Sequence, residues 1–241
     1  MKRLIIPCLC LSLIGCSQAG QNENTIKEEK KEEVSKYSSG DTIRLGSYEQ
    51  DGDLENGAEP IEWIVLNDED SKVTLISQNI LELETVLTMN NEAQFFDSSW
   101  ENSSERYWLN NEFIENAFTK EERDQIIETT LDNASYSFTL KGEKESTAKE
   151  NNTNDFVYSI SVQEYEQFFE DVNKAIATPS QYVLNEMASF NENAQVAYNT
   201  RSCNDKNQFP IVINKEGKLV TYVPGVPGVV IGIRPVITIK E

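Results

Sequence analysis

Acidic side chains supply most of the groups in this sequence that could do chemistry. The 241 residues include 41 Asp and Glu against 21 Lys and Arg, with no histidine, for a formal net charge of −20. Without histidine, Ser-His-Asp and Cys-His catalysis are excluded, as are metal sites that need imidazole. The negative charge also argues against nucleic acid as a partner, because such binding depends on neutralising phosphates.

Paired carboxylates are the catalytic chemistry that remains, since a glycosidase needs only two of them. Glu121 with Glu122, or Glu164 with Glu166, could form such a pair. In a chain with 41 acids, however, pairs of this kind arise freely. We therefore assign no catalytic residue and favour a protein that is not an enzyme. A carboxylate-based hydrolase stays open, and two facing buried carboxylates would favour it.

One acidic segment superficially suggests a calcium loop. Residues 51–57 read DGDLENG, and Glu62 follows Asp51 at a distance of eleven positions. The glycine falls one place late for such a loop, Pro60 interrupts it, and the flanking patterns are those of strands. We interpret the segment as a solvated turn and expect the protein to need no metal and no cofactor.

Aromatic and basic side chains offer a different kind of site, one for binding a ligand. Trp100 lies in a polar stretch, where its ring could be a ligand platform or, equally, a staple within the loop. Tyr198 and Arg201 complete the set of candidate ligand-binding residues. Trp63 and Trp108 have apolar neighbours at strand and helix spacing, which predicts core positions for both.

Buried pairing is the alternative role for the arginines. Arg106, Arg201 and Arg234 are expected to form internal bidentate pairs with carboxylates rather than a clamp on a ligand. Cys203 is expected to be a small, partly buried residue, because no histidine is present to activate its thiol.

The elements that must position these residues change in type along the chain. Two capping boxes, Thr119 with Glu122 and Ser161 with Glu164, each predict the start of a short helix. A longer helix is predicted from Ser103 or Ser104 through Ala117, and a surface loop over 141–155. Strands are predicted over 42–46, 61–66, 72–77, 156–160, 210–214, 219–223 and 229–239, with a turn at 224–228. Strands, then helices, then strands without regular alternation indicate an α+β fold with mostly antiparallel sheet.

The N-terminus carries a targeting signal. Lys2 and Arg3 precede an apolar run of eleven residues, which is too short for a spanning helix but suits a signal peptide. The run closes on Leu13-Ile14-Gly15-Cys16, which resembles the bacterial lipobox, and the resemblance implies cleavage after residue 15 and lipidation of Cys16. We therefore expect attachment to the cell membrane through lipid on Cys16, at the extracytoplasmic face.

A tether and one module follow the signal. Residues 16–40 are polar, with mixed Lys and Glu, and are interpreted as a flexible tether. Residues 41–241 are predicted to form a single compact acidic domain that holds nearly all the net charge. Cys203 is the one cysteine of that domain, so the domain forms no internal disulfide.

Six blocks along the module resemble a bacterial family of unknown function that is common in secreted and lipid-anchored proteins of Gram-positive bacteria. The blocks are GDTIRLGSYEQ at 40–50, EPIEWIVL at 59–66, RYWLN at 106–110, FVYSIS at 156–161, NTRS at 199–202 and GIRPV at 232–236. The order of these blocks is similar to the order of motifs in proteins with a C-type-lectin-like fold, including the formylglycine-generating enzymes. The similarity implies such a fold by analogy and does not imply an activity. Those enzymes use two active-site cysteines, whereas the module has one, and the sugar-binding triplets of calcium-dependent lectins are missing.

Three functional hypotheses follow from these patterns. The first is a lipid-anchored, non-catalytic binding or adhesion module that contacts cell-wall or host glycans or proteins. The second is a structural envelope protein without a diffusible ligand, and the third is the carboxylate-based hydrolase. A cluster of surface aromatic residues would favour the first hypothesis.

Overall fold

Two five-stranded sheets organise the part of the chain described by the computed structural model, which covers residues 36–84, 99–138, 144–191, 195–204, 209–222 and 229–241. Strands are numbered in chain order. The first sheet has the order β1 (Thr42–Tyr48), β2 (Glu59–Glu69), β3 (Lys72–Ser77), β16 (Val236–Lys240) and β10 (Val157–Tyr158). The second has the order β14 (Leu219–Thr221), β13 (Pro210–Ile213), β12 (Gln195–Cys203), β15 (Val229–Ile233) and β5 (Glu82–Leu83).

Short two-stranded pairs surround these sheets. They are β4 (Asn79–Ile80) with β11 (Thr178–Pro179), β6 (Thr129–Leu131) with β9 (Thr153–Asp155), and β7 (Ala134–Phe138) with β8 (Lys144–Lys149). Among the described strands, β12 with β15 and β11 with β4 pair in parallel, and the other pairs are antiparallel. The predicted α+β class with mostly antiparallel sheet is therefore confirmed.

Alternation along β2 and β3 explains how the first sheet forms. Ile61, Trp63 and Val65 of β2 are fully buried, as are Val73 and Leu75 of β3, whereas the residues between them are more exposed in most cases. This period of two is typical of a strand with one face against the core. The predicted strands at 42–46, 61–66 and 72–77 are confirmed, and Trp63 and Trp108 lie in the core as expected.

The helices begin at the predicted caps. Ser103 accepts a hydrogen bond from the backbone of Arg106 and starts α1 (Ser104–Trp108), which continues through a π-helical stretch, Leu109–Phe113, into α2 (Ile114–Ala117). Both capping boxes are present, at the starts of α3 (Lys120–Arg123) and α4 (Val162–Phe168). The remaining helical elements are α5 (Gln181–Asn191) and two 3₁₀ turns, Trp100–Asn102 and Val172–Ala175. No helix in the described ranges is long and apolar enough to cross a membrane.

Two predicted elements differ from the structure. Residues 141–155 were expected to be a loop, but β8 and β9 occupy most of that range because β8 pairs with the preceding strand β7 and β9 pairs with β6. The strand expected over 229–239 is divided at Arg234 and Pro235, so that β15 joins the second sheet and β16 the first. Proline cannot donate to a strand ladder, which explains the break. The predicted turn at 224–228 lies outside the described residues.

Contacts with the core begin before residue 41 in the described part of the chain. Tyr37 packs against the core, and its backbone N–H donates to Asp68 Oδ2 at 2.9 Å. Gly40 N donates to Val65 O at 2.8 Å. Residues 36–40, assigned by sequence to the tether, thus contact β2. The signal peptide, Cys16 and the rest of the tether lie outside the described residues.

Candidate functional site

The three residues proposed as ligand contacts are all buried. Trp100 and Tyr198 are each 2% exposed and Arg201 is 6% exposed. An aromatic platform needs an exposed ring face, and the structure buries both aromatic candidates, Trp100 and Tyr198. Each one instead satisfies internal hydrogen bonds.

Trp100 is a staple between two segments of the chain. It lies in the first 3₁₀ turn, and its indole Nε1–H donates to Asp155 Oδ2 at 2.8 Å. Asp155 also accepts from Arg106 Nε and from Thr153 Oγ1, both at 2.7 Å. Of the two roles that the sequence left open for Trp100, the structure supports the loop staple.

Tyr198 lies beside Arg234 in the core. The Tyr198 hydroxyl donates to Ala175 O at 2.5 Å and accepts from Arg234 Nη1 at 3.1 Å, and the guanidinium stacks over the Tyr198 ring. Arg234 Nε donates to Ser77 O at 2.8 Å. Among the described residues, no carboxylate pairs with Arg234 as expected, and its donors go to backbone carbonyls and the Tyr198 hydroxyl.

Arg201 forms the expected bidentate pair, and its partner is Glu164. Arg201 Nη2 donates to Glu164 Oε1 at 2.9 Å and Nη1 donates to Glu164 Oε2. The same carboxylate caps α4 by accepting from Ser161 N at 2.8 Å. Glu164 is therefore a structural residue and not one member of a catalytic pair, and Glu122 has the same capping role at α3.

A different acid, Glu105 in the first turn of α1, lies in the interior. It is 1% exposed. Its Oε1 accepts from the Ser159 hydroxyl, and its Oε2 accepts from Asn199 Nδ2 at 2.5 Å. Burial raises the pKa of the Glu105 carboxyl, and these two hydrogen bonds oppose part of that increase.

Glu84, which directly follows β5, interacts with Glu105. Glu84 is half-buried, and burial raises the pKa of its carboxyl, with a further increase from the negative charge of Glu105. Burial raises the pKa of Tyr222, and the negative charge of Glu84 raises it further. We call Glu84 and Glu105, with Ser159 and Asn199, the carboxylate cluster. Of its two acids, Glu105 is buried and Glu84 is half-buried, whereas two facing buried carboxylates were expected of a hydrolase.

Sequence reasoning missed Glu105, although a weak signal was present. Trp108 and Leu109 follow it by three and four positions and are buried, so Glu105 lies on the apolar face of the helix. An acid on such a face signals a buried carboxylate. Nothing local identifies its partners, which lie 54 and 94 positions further along the chain.

A second acidic group lies on the surface. Glu49, Asp51 and Glu59 bring possible ligand atoms within 4.8 Å of one another. Their oxygens accept hydrogen bonds that build the turn, including Gln50 N to Glu59 Oε2 at 2.8 Å and Gly52 N to Glu49 Oε1 at 2.6 Å. Residues 51–58 are exposed, as the interpretation as a solvated turn requires.

Two aromatic side chains, Tyr107 and Phe156, are exposed, and asparagine side chains bond to the backbone at each of them. Tyr107 is 62% exposed and Phe156 is 38% exposed. Asn110, one helical turn after Tyr107, accepts from Phe156 N at 2.8 Å and donates to Val157 O at 2.8 Å. Asn111 donates to Tyr107 O at 2.6 Å. We call Tyr107 and Phe156 the aromatic pair. Neither residue was predicted from the sequence to be a ligand contact.

Cys203 has the structural role expected of it. It is 5% exposed, and its thiol donates to Glu150 Oε1 at 3.0 Å. This buried position is that of the small, buried residue that the sequence predicted.

The structure and the family comparison together define the class of protein. The described residues form an α+β domain with a buried carboxylate cluster and an exposed aromatic pair. The family model of DUF6273, a domain of unknown function, matches residues 70–241, and the chain belongs to that family. No curated protein and no solved structure matches the chain. The likeness to C-type-lectin-like folds therefore stays an analogy drawn from the order of the sequence blocks.

Proposed function

We propose that the protein is a lipid-anchored, extracytoplasmic binding module that is not an enzyme. The N-terminal block ending at Cys16 supports the anchor, and the acidic domain after it supports a location in solvent beyond the membrane. Its partners are the membrane, through lipid on Cys16, and cell-wall or host glycans or proteins.

The anchor is tested by labelling with fatty acid. The full chain expressed in a bacterium should take up labelled fatty acid, and Cys16→Ala should abolish the label. Cys203→Ala is the matched control, because it removes a buried thiol of the folded domain and should keep the label. Label on Cys16→Ala, or no label on the unaltered chain, would contradict the anchor.

The observation that carries the binding function is the aromatic pair. Exposed aromatic rings stack on apolar faces of ligands and dominate the energetics of binding surfaces. Asn110 fixes the backbone of Phe156 to the helix that bears Tyr107, so both rings are presented on ordered elements and lose little conformational entropy on binding. The net charge of −20 favours neutral or cationic ligands over anionic ones.

Binding is tested with the purified full chain against glycans, cell-wall fragments and basic peptides. For whichever ligand binds, Tyr107→Ala and Phe156→Ala should each weaken binding by about tenfold, since losing a buried aromatic contact costs more than about 1 kcal/mol. Leu54→Ala is the control, because Leu54 is an apolar side chain that is 77% exposed in a different segment, the turn at 51–58. Binding that none of these variants weakens would place the contact elsewhere.

The carboxylate cluster favours the hydrolase as a second candidate function. In a glycosidase, one carboxyl group of a pair acts as the acid and the other as the nucleophile or base. Their surroundings make this possible by raising one pKa or by separating the two pKa values. A panel of glycoside and ester substrates tests it. Turnover that Glu105→Gln abolishes, in a variant that melts like the unaltered chain, would establish the hydrolase in place of the non-catalytic module.

A further inference from the structure

The strand side of the aromatic pair carries exposed, uncharged polar side chains. Phe156 lies between β9 and β10, and residues 153–157 alternate between buried and exposed. That period of two directs Asn154 and Phe156 outward on the same face, with their backbones about 7 Å apart. Thr130 of β6 is paired with Asn154 across the strands, is also exposed, and donates to Asn154 Oδ1 at 2.8 Å.

The helix side of the aromatic pair has the same character. Tyr107 of α1 and Asn111 of the π-helical stretch are one turn apart, and both are exposed. Asn111 Nδ2 donates to Tyr107 O at 2.6 Å, which holds this amide beside the residue that bears the ring. Asn110 joins the helix to the strand side through its hydrogen bonds to Phe156 N and Val157 O. The two sides therefore form one continuous surface.

This surface has unused hydrogen-bonding groups. We call Asn111, Thr130 and Asn154 the neutral strip. Among the described residues, Asn111 Oδ1, Asn154 Nδ2 and the Tyr107 hydroxyl have no hydrogen-bond partner. An amide oxygen accepts hydrogen bonds, an amide NH₂ donates them, and a hydroxyl does both. The surface thus presents free donors and free acceptors next to two exposed rings.

Charge disfavours two classes of ligand at this surface. Arg106, the basic residue next to Tyr107, donates to Asp155 Oδ1 at 2.7 Å and to Glu101 O at 3.1 Å. The exposed acids Glu112 and Glu128 follow Asn111 and precede β6, and their negative charge disfavours anionic ligands. The aromatic pair and the neutral strip contain no charged residue, so a cationic peptide finds no ion-pair partner among them.

An uncharged sugar matches the chemistry that remains. A sugar ring has an apolar face of C–H groups, which stacks on aromatic rings, and a rim of hydroxyl groups, which both donate and accept hydrogen bonds. We propose that the aromatic pair and the neutral strip bind an uncharged oligosaccharide. The rings of Tyr107 and Phe156 stack on sugar faces, while Asn111 Oδ1 and Asn154 Nδ2 bond to hydroxyl groups. The inference rests on the proposed binding function and narrows its ligands to neutral glycans.

The experiment is a calorimetric titration of the purified full chain with uncharged oligosaccharides of glucose, of mannose and of N-acetylglucosamine. Oligolysine and an oligogalacturonate are the charged probes. At least one uncharged oligosaccharide should bind. Its affinity should change less than about twofold between about 0.05 and 0.5 M NaCl, because binding brings no opposite charges together. The oligogalacturonate should not bind.

Substitutions in the neutral strip test the contacts themselves. Asn111→Ala and Asn154→Ala should each weaken oligosaccharide binding about threefold to tenfold, the effect of one lost hydrogen bond. Both side chains are exposed, so each variant should melt like the unaltered chain. Asn185→Ala is the matched control, because it removes an exposed asparagine from a different helix, α5, and should leave binding unchanged.

The contrary outcomes separate this inference from the function on which it rests. Oligolysine binding that Tyr107→Ala weakens, without binding of any uncharged oligosaccharide, would overturn the neutral glycan and keep the binding module. Oligosaccharide binding that Tyr107→Ala weakens but Asn111→Ala and Asn154→Ala leave unchanged would overturn the role of the neutral strip. Failure of every uncharged oligosaccharide to bind would also overturn the inference. Oligosaccharide binding that none of these variants weakens would contradict the aromatic pair as well.

Discussion

Trp100 and Asp155 are joined by a buried hydrogen bond of 2.8 Å across 55 positions of sequence. The bond connects the first 3₁₀ turn to the end of β9. Asp155 also accepts hydrogen bonds from Arg106 and Thr153, so donors from three segments bind one carboxylate. This junction fixes the start of α1, and with it the position of Glu105.

Replacing Trp100 with Phe should destabilise the fold. The ring volume is mostly kept, but the donor to a buried, charged acceptor is lost, which costs about 1.5–3 kcal/mol. Urea unfolding followed by circular dichroism measures the change. Tyr107→Phe is the control for an exposed aromatic position and should change the free energy of unfolding by less than about 0.5 kcal/mol. An unchanged unfolding midpoint for Trp100→Phe would mean that the staple does not stabilise the domain.

Arg201→Lys should cost more than its conservative nature suggests. Lysine keeps the charge but cannot reproduce the two parallel hydrogen bonds to Glu164 or the third to Ser159 O. The expected loss is about 1.5–3 kcal/mol, measured by denaturant unfolding. Arg44→Lys is the matched control, because the ion pair of Arg44 with Glu62 is largely exposed, at 71% and 34%, and contributes less than about 1 kcal/mol. Equal effects at the two positions would contradict the prediction.

Gly46→Ala should be among the most damaging single changes in β1. Gly46 has φ = +72°, and an added Cβ would lie 2.6 Å from both Ala117 O and the Phe118 ring. Backbone strain and overpacking together should cost about 2–4 kcal/mol. Gly40→Ala distinguishes backbone strain from overpacking. Gly40 has φ = +95°, but no atom lies within 4 Å of an added Cβ. It should cost only about 1 kcal/mol of backbone strain. Thermal unfolding of both variants decides whether packing contributes the difference.

The carboxylate cluster should make stability depend on pH in the direction opposite to that of ordinary paired acids. The raised pKa values of Glu84 and Glu105 mean that the folded chain binds protons more tightly than the unfolded chain. The contribution of these two groups to the free energy of unfolding is therefore fully present below the usual glutamate pKa of 4.5. It is lost as pH rises towards about 8. Glu105→Gln should remove about 1–3 kcal/mol of this dependence between about pH 5 and pH 8.

Unfolding in urea with chelator present, at pH values from 5 to about 8, measures that dependence. Glu55→Gln is the control for an exposed acid and should keep the slope of the unaltered chain. The same slope in Glu105→Gln and the unaltered chain would show that Glu105 does not titrate in this range.

Local chemistry explains which elements could be predicted from the sequence. The alternation around Trp63 and the capping boxes at Thr119 and Ser161 depend on neighbours within a few positions, and the structure confirms them. The strands in 144–155 and the division at Arg234 depend on pairing partners outside those segments, and the sequence prediction missed them. Strand pairing overrides the local preference of polar segments for loops.

The candidate site was less predictable for the same reason. Trp100 has polar neighbours in sequence but is 2% exposed, because Asp155 and the core cover it from outside its own segment. Glu105, Ser159 and Asn199 lie in three segments that are far apart in sequence, and they contact one another only in the folded chain. Arg201 forms the predicted bidentate pair, with Glu164, whereas Arg106 pairs with a carboxylate, that of Asp155, through Nε alone.

The division between β15 and β16 has a consequence for biogenesis. β15 lies between β12 and β5, and β16 lies between β3 and β10, so residues 229–240 are interior strands of both large sheets. Val236 pairs with Ile76 across 160 positions, which is the kind of non-local contact that makes folding slow. Neither sheet can be completed until this segment has been synthesised. The two large sheets therefore become complete together, when this one segment pairs in both of them.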